Sequence, residues 1–211
     1  NLYYNAKLSF VNKTNEDVSK LVEETLSSLG LYEIRDMRVG SVLNKLISGG
    51  QRKRLNIALE LIREPSVLFL DEPTSGLSSR DSENIMDLLK ELSLKGKLVI
   101  VVIHQPSSDI FKMFDRLIIL DTGGFMIYNG APIDAITHFK STVQQADMND
   151  SVCRCCGNVN PEQVFNIVEA KVLDEFGNFT NTRKKSPLEW NQKYIEVREQ
   201  SENLRPKAIS K

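Results

Sequence analysis

At 211 residues the chain has room for one domain with a real core, or for a domain with an appendage, but not comfortably for two equal domains. Its 41% hydrophobic and 26% charged residues are those of an ordinary globular protein, and 27 basic against 28 acidic residues give a net charge of −1, with no basic excess to draw a polyanion, which argues against nucleic acid as a partner. The longest apolar runs, Val67 to Leu70 and Leu98 to Ile103, fall far short of the roughly 20 residues that cross a bilayer, so a membrane would have to be crossed by another segment or subunit.

In chain order, Val18, Leu21, Val22, Thr25, Leu26 and Leu29 recur at helical spacing after Thr14, and Gly30 supplies the stop, which predicts an amphipathic helix. A second helix is expected from Ser48 through Leu55, Ala58, Leu59 and Ile62 until Glu64-Pro65 ends it. Val67 to Leu70 follows as a continuous apolar strand, expected to be buried on both faces. A helix from Ser78 or Ser79, apolar at Ile85, Met86, Leu88, Leu89 and Leu92, runs to Gly96, and Leu98 to Ile103 then reads as a second buried strand. Strand, helix and strand in that order predict a parallel pair with a right-handed crossover. A short helix at Ser107 to Phe114, a hairpin from Arg116 to Tyr128 around Gly123-Gly124, and a helix from Pro132 to Phe139 complete the pattern. Beyond Ser141 the periodicity fades, with regular stretches only at Ala170 to Phe176 and Leu188 to Val197, so the expected layout is 1–65, 66–140 and an appendage at 141–211. No internal repeat or low-complexity tract is present.

Three features carry chemistry. Ser48-Gly49-Gly50-Gln51 opens a helix, where unpaired amides, the positive end of the dipole and the following Arg52-Lys53-Arg54 favour an anion, although a plain glycine cap fits the same residues. Asp71-Glu72-Pro73 ends the first buried strand and delivers two carboxylates to the carboxyl edge of a parallel sheet, where α/β proteins place ligands. One can associate with Mg²⁺ through water while the other polarises an attacking water; the competing reading is a solvated acidic turn. His104 ends the second strand and should lie at the same edge, suited to orienting a nucleophile and sensing a phosphate.

Together, Ile47-Ser48-Gly49-Gly50-Gln51, then Val67-Leu68-Phe69-Leu70-Asp71-Glu72-Pro73-Thr74-Ser75-Gly76-Leu77, then His104, resemble the signature, Walker B, D-loop and H-loop of an ATP-binding cassette. His104-Gln105-Pro106-Ser107 with Ile110-Phe111 and Phe114-Asp115 further resembles the G subfamily, the eye-pigment and multidrug half-transporter type. The resemblance covers residues 1 to about 140. It implies an α/β fold, part of a P-loop NTPase cassette with a mostly parallel sheet and helices, followed by the less regular appendage or connector. It also implies ATP and Mg²⁺ as cofactors, Glu72 as general base, Asp71 as the Mg²⁺-associated acid and His104 as γ-phosphate sensor. Ser48, Gly49, Gly50, Gln51, Ser75 and Ser78 become the nucleotide-contacting residues. The implied partners are a second cassette in a head-to-tail dimer and a transmembrane domain, at the cytoplasmic face of the cell membrane.

Two departures qualify the family pattern. A phosphate-cradling P-loop needs Gly, four residues, Gly-Lys and Ser or Thr, yet the only Gly-Lys pair is Gly96-Lys97 followed by Leu98, and no Q-loop precedes the helical region; a fragment that starts downstream of both, and is inactive by itself, is expected. Ser78 stands where the family usually places the D-loop aspartate. Cys153, Cys155 and Cys156 are the only cysteines, too crowded for a disulfide framework and suited to a reducing compartment; Cys153 and Cys156 offer half of a zinc site, with free thiols in a loop as the simpler reading. Two alternatives to a transporter engine stay open: a soluble cassette ATPase without a transport role, and an inactive signature-bearing module that caps a nucleotide held elsewhere.

Overall fold

The computed structural model describes residues 1–40, 46–143, 153 and 157–203, and the chain divides into two compact units, Asn1–His104 and Gln105–Lys211. The first unit contains α1 (Leu2–Ser9), α2 (Asn15–Ser28), a short 3-10 turn at Tyr32–Ile34, α3 (Gly49–Leu61), β1 (Val67–Asp71), α4 (Ser79–Leu94) and β2 (Leu98–Val102). The second contains α5 (Ser108–Met113), β3 (Leu117–Asp121), β4 (Phe125–Gly130), α6 (Pro132–Thr142), α7 (Glu162–Val168), β5 (Lys171–Leu173), β6 (Phe179–Arg183) and α8 (Pro187–Asn203).

In the first unit α2 starts where expected, because the Thr14 side chain accepts the Asp17 amide and the Asp17 carboxylate accepts the Thr14 amide. Its stripe, Val18 and Leu26, packs with Leu29 and Leu31 just beyond it, with Ala58 of α3 and the following Ile62, and with Leu2 and Ala6 of α1. β1 and β2 pair in parallel, Val67 opposite Leu98 through Asp71 opposite Val102, with α4 packed against β2. The expectation of burial on both faces fails here. Leu68 is buried, but Val67, Phe69, Leu98, Ile100 and Val102 point the other way and are exposed, Phe69 to 76%. Alternation gives even a wholly apolar strand two faces, and among the described residues only one of them is covered.

In the second unit β3 and β4 form the expected antiparallel hairpin, with Gly123 and Gly124 at φ +87° and +78° in its turn. β5 and β6 form a second antiparallel pair, so parallel pairing among the described residues is confined to β1 and β2. Residues 157–203 are more regular than their composition suggests, with α7, β5, β6 and α8 following one another. Val159, Val164, Ile167, Val168 and Trp190 share one core with Phe111, Ile127, Tyr128, Ile136 and Phe139. Trp190 meets Phe139 edge to face at 5.4 Å, Asn191 donates to the Met126 carbonyl at 2.6 Å, and Arg183 pairs with the nearly buried Asp121 at 2.7 Å. The two compact units meet at His104, whereas the expected layout placed its limits at 65 and 140. Among the described residues no helix is long and apolar enough to cross a membrane.

Candidate functional site

α3 begins at Ser48 through a reciprocal cap: the Ser48 hydroxyl accepts the Gln51 amide at 3.1 Å, and Gln51 Oε1 accepts the Ser48 amide at 2.8 Å. Of the four unpaired amides that open a helix, this leaves those of Gly49 and Gly50, while the Ser48 hydroxyl keeps its proton to donate outward. The Gln51 side chain is committed to the helix itself. The two glycines also have a packing role. A methyl group on Gly49 would lie 3.2 Å from Leu77 Cδ2, and one on the buried Gly50 would lie 2.9 Å from Asp81 Oδ1. Sequence reasoning gave these glycines to close approach by a ligand; the structure shows that they also let α3 seat against the turn at 77–81.

That turn is held by Ser78, whose hydroxyl accepts the Asp81 amide at 3.1 Å and donates to Asp81 Oδ2 at 3.0 Å, so Ser78 caps α4 as expected. Asp81 thus supports the Ser78 cap from one side and abuts Gly50 from the other. The Ser-x-x-Asp spacing was the one sequence signal for it.

Asp71 closes β1 opposite Val102. Glu72 then turns into the left-handed region, φ +44°, a conformation that costs a non-glycine residue on the order of 1 kcal/mol or more. Three bonds hold it there: the Glu72 amide donates to the Val102 carbonyl at 2.9 Å, and its carbonyl accepts the Ser75 amide at 3.2 Å and Lys53 Nζ of α3 at 3.0 Å. His104 follows two residues beyond Val102, at the same end of the β1–β2 pair. Asp71, Glu72, Ser75, Ser78 and His104 are all exposed, and among the described residues no hydrogen bond or ion pair occupies either carboxylate or the imidazole. One hard carboxylate, a second carboxylate on a strained turn and a ring nitrogen at one end of the strand pair suit a metal-bound polyphosphate, and the two helix-opening amides by themselves suit a phosphate.

The basic residues after the glycines are less free than their sequence implies. Lys53 is on Glu72, Arg52 donates to the Val39 carbonyl at 3.2 Å, and the buried Arg54 Nε has no partner among the described residues. Lys53 was missed as a site residue because its contact lies 19 positions away in sequence. Cys153 is exposed, whereas Cys155 and Cys156 lie outside the described residues; among those described, no group of three or more His, Cys, Asp or Glu side chains can hold a metal ion.

Residues 3–75 match the family model described as ABC transporter, and residues 104–199 match one described as ABC-2 type transporter. The chain is similar to ABC transporter G family member 28 of Arabidopsis thaliana, 46% identical over 123 residues, which is 58% of this chain and 11% of that protein. It is 36% identical over 177 residues to G family member 13 of the same plant, covering 82% of this chain and 26% of the relative. A third relative is the broad substrate specificity ATP-binding cassette transporter ABCG2 of Sus scrofa, 41% identical over 142 residues, 67% of this chain and 22% of the relative. The chain therefore spans between about a tenth and a quarter of the relatives it matches. In three dimensions a solved ATP-binding cassette of an ABC transporter superposes with a TM-score of 0.55 at 20% identity, over 68% of this chain and 61% of that one, which gives the fold.

Proposed function

Because the chain belongs to the ATP-binding cassette transporter family and its likeness runs to the G subfamily, we propose that it supplies part of the ATPase that powers transport through a membrane domain. The observation that carries this reading is the seating of the Ser48–Gln51 turn against the Glu72–Asp81 segment, which brings an anion-binding helix start and a pair of carboxylates into one unit. The amides of Gly49 and Gly50 and the Ser48 hydroxyl bind the nucleotide's phosphates, capping ATP held by a second cassette in a head-to-tail dimer. Ser75 and Ser78 line the turn facing that partner, and Gln51 acts by fixing the cap. Glu72 takes a proton from the attacking water, Asp71 holds Mg²⁺ through water, and His104 orients the terminal phosphate. Bound Mg²⁺ supplies charge neutralisation on the phosphate oxygens.

No stretch of these 211 residues has the P-loop pattern, so the phosphates of the nucleotide that Glu72 serves are held by residues outside them, and the chain by itself does not turn over ATP. The working location is the cytoplasmic face of a membrane.

The test is Glu72→Gln in the full-length protein. Mg-ATP binding should stay within about twofold of the parent while turnover falls by at least 10²-fold, the scale of a lost general base. Retained turnover would remove Glu72 from the role of base.

A further inference from the structure

The structure shows a connection that neither the motif series nor the proposed chemistry requires. The segment from Glu72 to Asp81 lies along the first turn and a half of α3 and touches it at three points: Gly49 against Leu77, Gly50 against Asp81, and Lys53 Nζ on the Glu72 carbonyl. The first two contacts are steric. The third is a directed bond from a cation to the backbone of a residue in the left-handed region, and through it α3 holds Glu72 itself.

We infer that Lys53 is a positioning residue that ties the nucleotide-capping turn at Ser48 to Glu72, so that engagement of the cap sets the orientation of the base. The inference rests on the proposed function for the roles of Ser48 and Glu72, but the tie itself does not. Its logic is conformational. At φ +44° Glu72 is in a conformation that persists only when its surroundings over-determine it. Its amide is fixed by β2 and its carbonyl is shared between Ser75 and Lys53, so removing the ammonium leaves the carbonyl with one local partner and frees the turn to relax. In a head-to-tail dimer the Ser48 turn serves one nucleotide and Glu72 the other. The Lys53 bond therefore joins the two composite sites within a single chain.

Two measurements test it with Lys53→Met, which keeps the aliphatic stem and removes the donor, and Lys53→Arg, which restores one. Hydrogen exchange on the full chain should show amides at 72–77 exchanging about five- to tenfold faster in the Met variant and near parental rates in the Arg variant, with α2 unchanged. Unchanged exchange at 72–77 in the Met variant would overturn the tie. In the full-length protein, the Met variant should lower kcat about fivefold at unchanged KM for ATP, with Arg recovering at least half of the loss; a rise in KM at unchanged kcat would overturn the positioning role. Faster exchange together with full turnover in Glu72→Gln would sink the proposed function while leaving the tie standing.

Discussion

Glu72 is held by its backbone and His138 by the packing of its ring. Glu72 is exposed and held through its backbone, so its carboxylate is free to act on what lies outside. His138 is half buried, with its ring 5.3 Å from Tyr128 and 5.1 Å from Phe139, and burial lowers its pKa below the ordinary 6.5. A lowered folded-state pKa means that the unfolded chain binds the proton first. Stability is therefore fully present above about pH 6.5 and is lost as the pH falls from there through the folded value. Chemical denaturation of the full chain between pH 7.5 and 5 should show this loss, and His138→Gln should flatten it; an equal slope in both would assign the acid sensitivity elsewhere. At this scale much was legible. Ser48, Ser78 and the Thr14 cap follow from helix-start chemistry that acts over three residues. Lys53 was not, because a bond from a long flexible side chain to a distant carbonyl leaves no periodic trace.

The glycine-opened helix α3 is where local propensity and packing conflict. Replacing a helical glycine by alanine ordinarily gains up to about 1 kcal/mol, but at Gly50 the added methyl meets Asp81 Oδ1 at 2.9 Å and Cγ at 3.1 Å, so the carboxylate, whose Oδ2 accepts from Ser78, must shift. Gly50→Ala should destabilise the chain in spite of its better propensity. Combined with Asp81→Ala it should recover, with a coupling of about 1 kcal/mol in a double-mutant cycle of thermal or urea unfolding. Additive effects would mean that the two positions do not share the contact. β1 shows the limit of reading elements from composition. Val67 to Leu70 announced a strand, but an unbroken apolar run cannot say how many of its faces are covered, and Phe69 is exposed. α1 was invisible because only Leu2 and Ala6 mark its buried side. α7 hid for a similar reason: Val164, Ile167 and Val168 have helical spacing, but the helix is seven residues long.

For the whole molecule, Val159, Val164, Ile167, Val168 and Trp190, from the segment after residue 141, form part of the second unit's core. The single tryptophan, Trp190, is 2% exposed at the centre of the second unit's core, and truncating such a residue costs about 3–5 kcal/mol. Trp190→Ala should lower the melting temperature of the chain by several degrees or prevent folding of residues 105–203; a loss under 1 kcal/mol would return the segment to the status of an appendage. The same boundary at residue 104 separates the two matched family models, one ending at 75 and the other starting at 104. The motif series in the first unit gave the family, and the sheet edge gave the order of its acids. The proposed site needs residues outside these 211 to hold the nucleotide's phosphates, which no local pattern here can supply. Titration calorimetry with Mg-ATP tests that claim most directly, on this chain and on a form extended upstream to include a P-loop. The account predicts no measurable binding by the first and micromolar binding, about 8 kcal/mol, by the second. Micromolar binding by these 211 residues by themselves would contradict it.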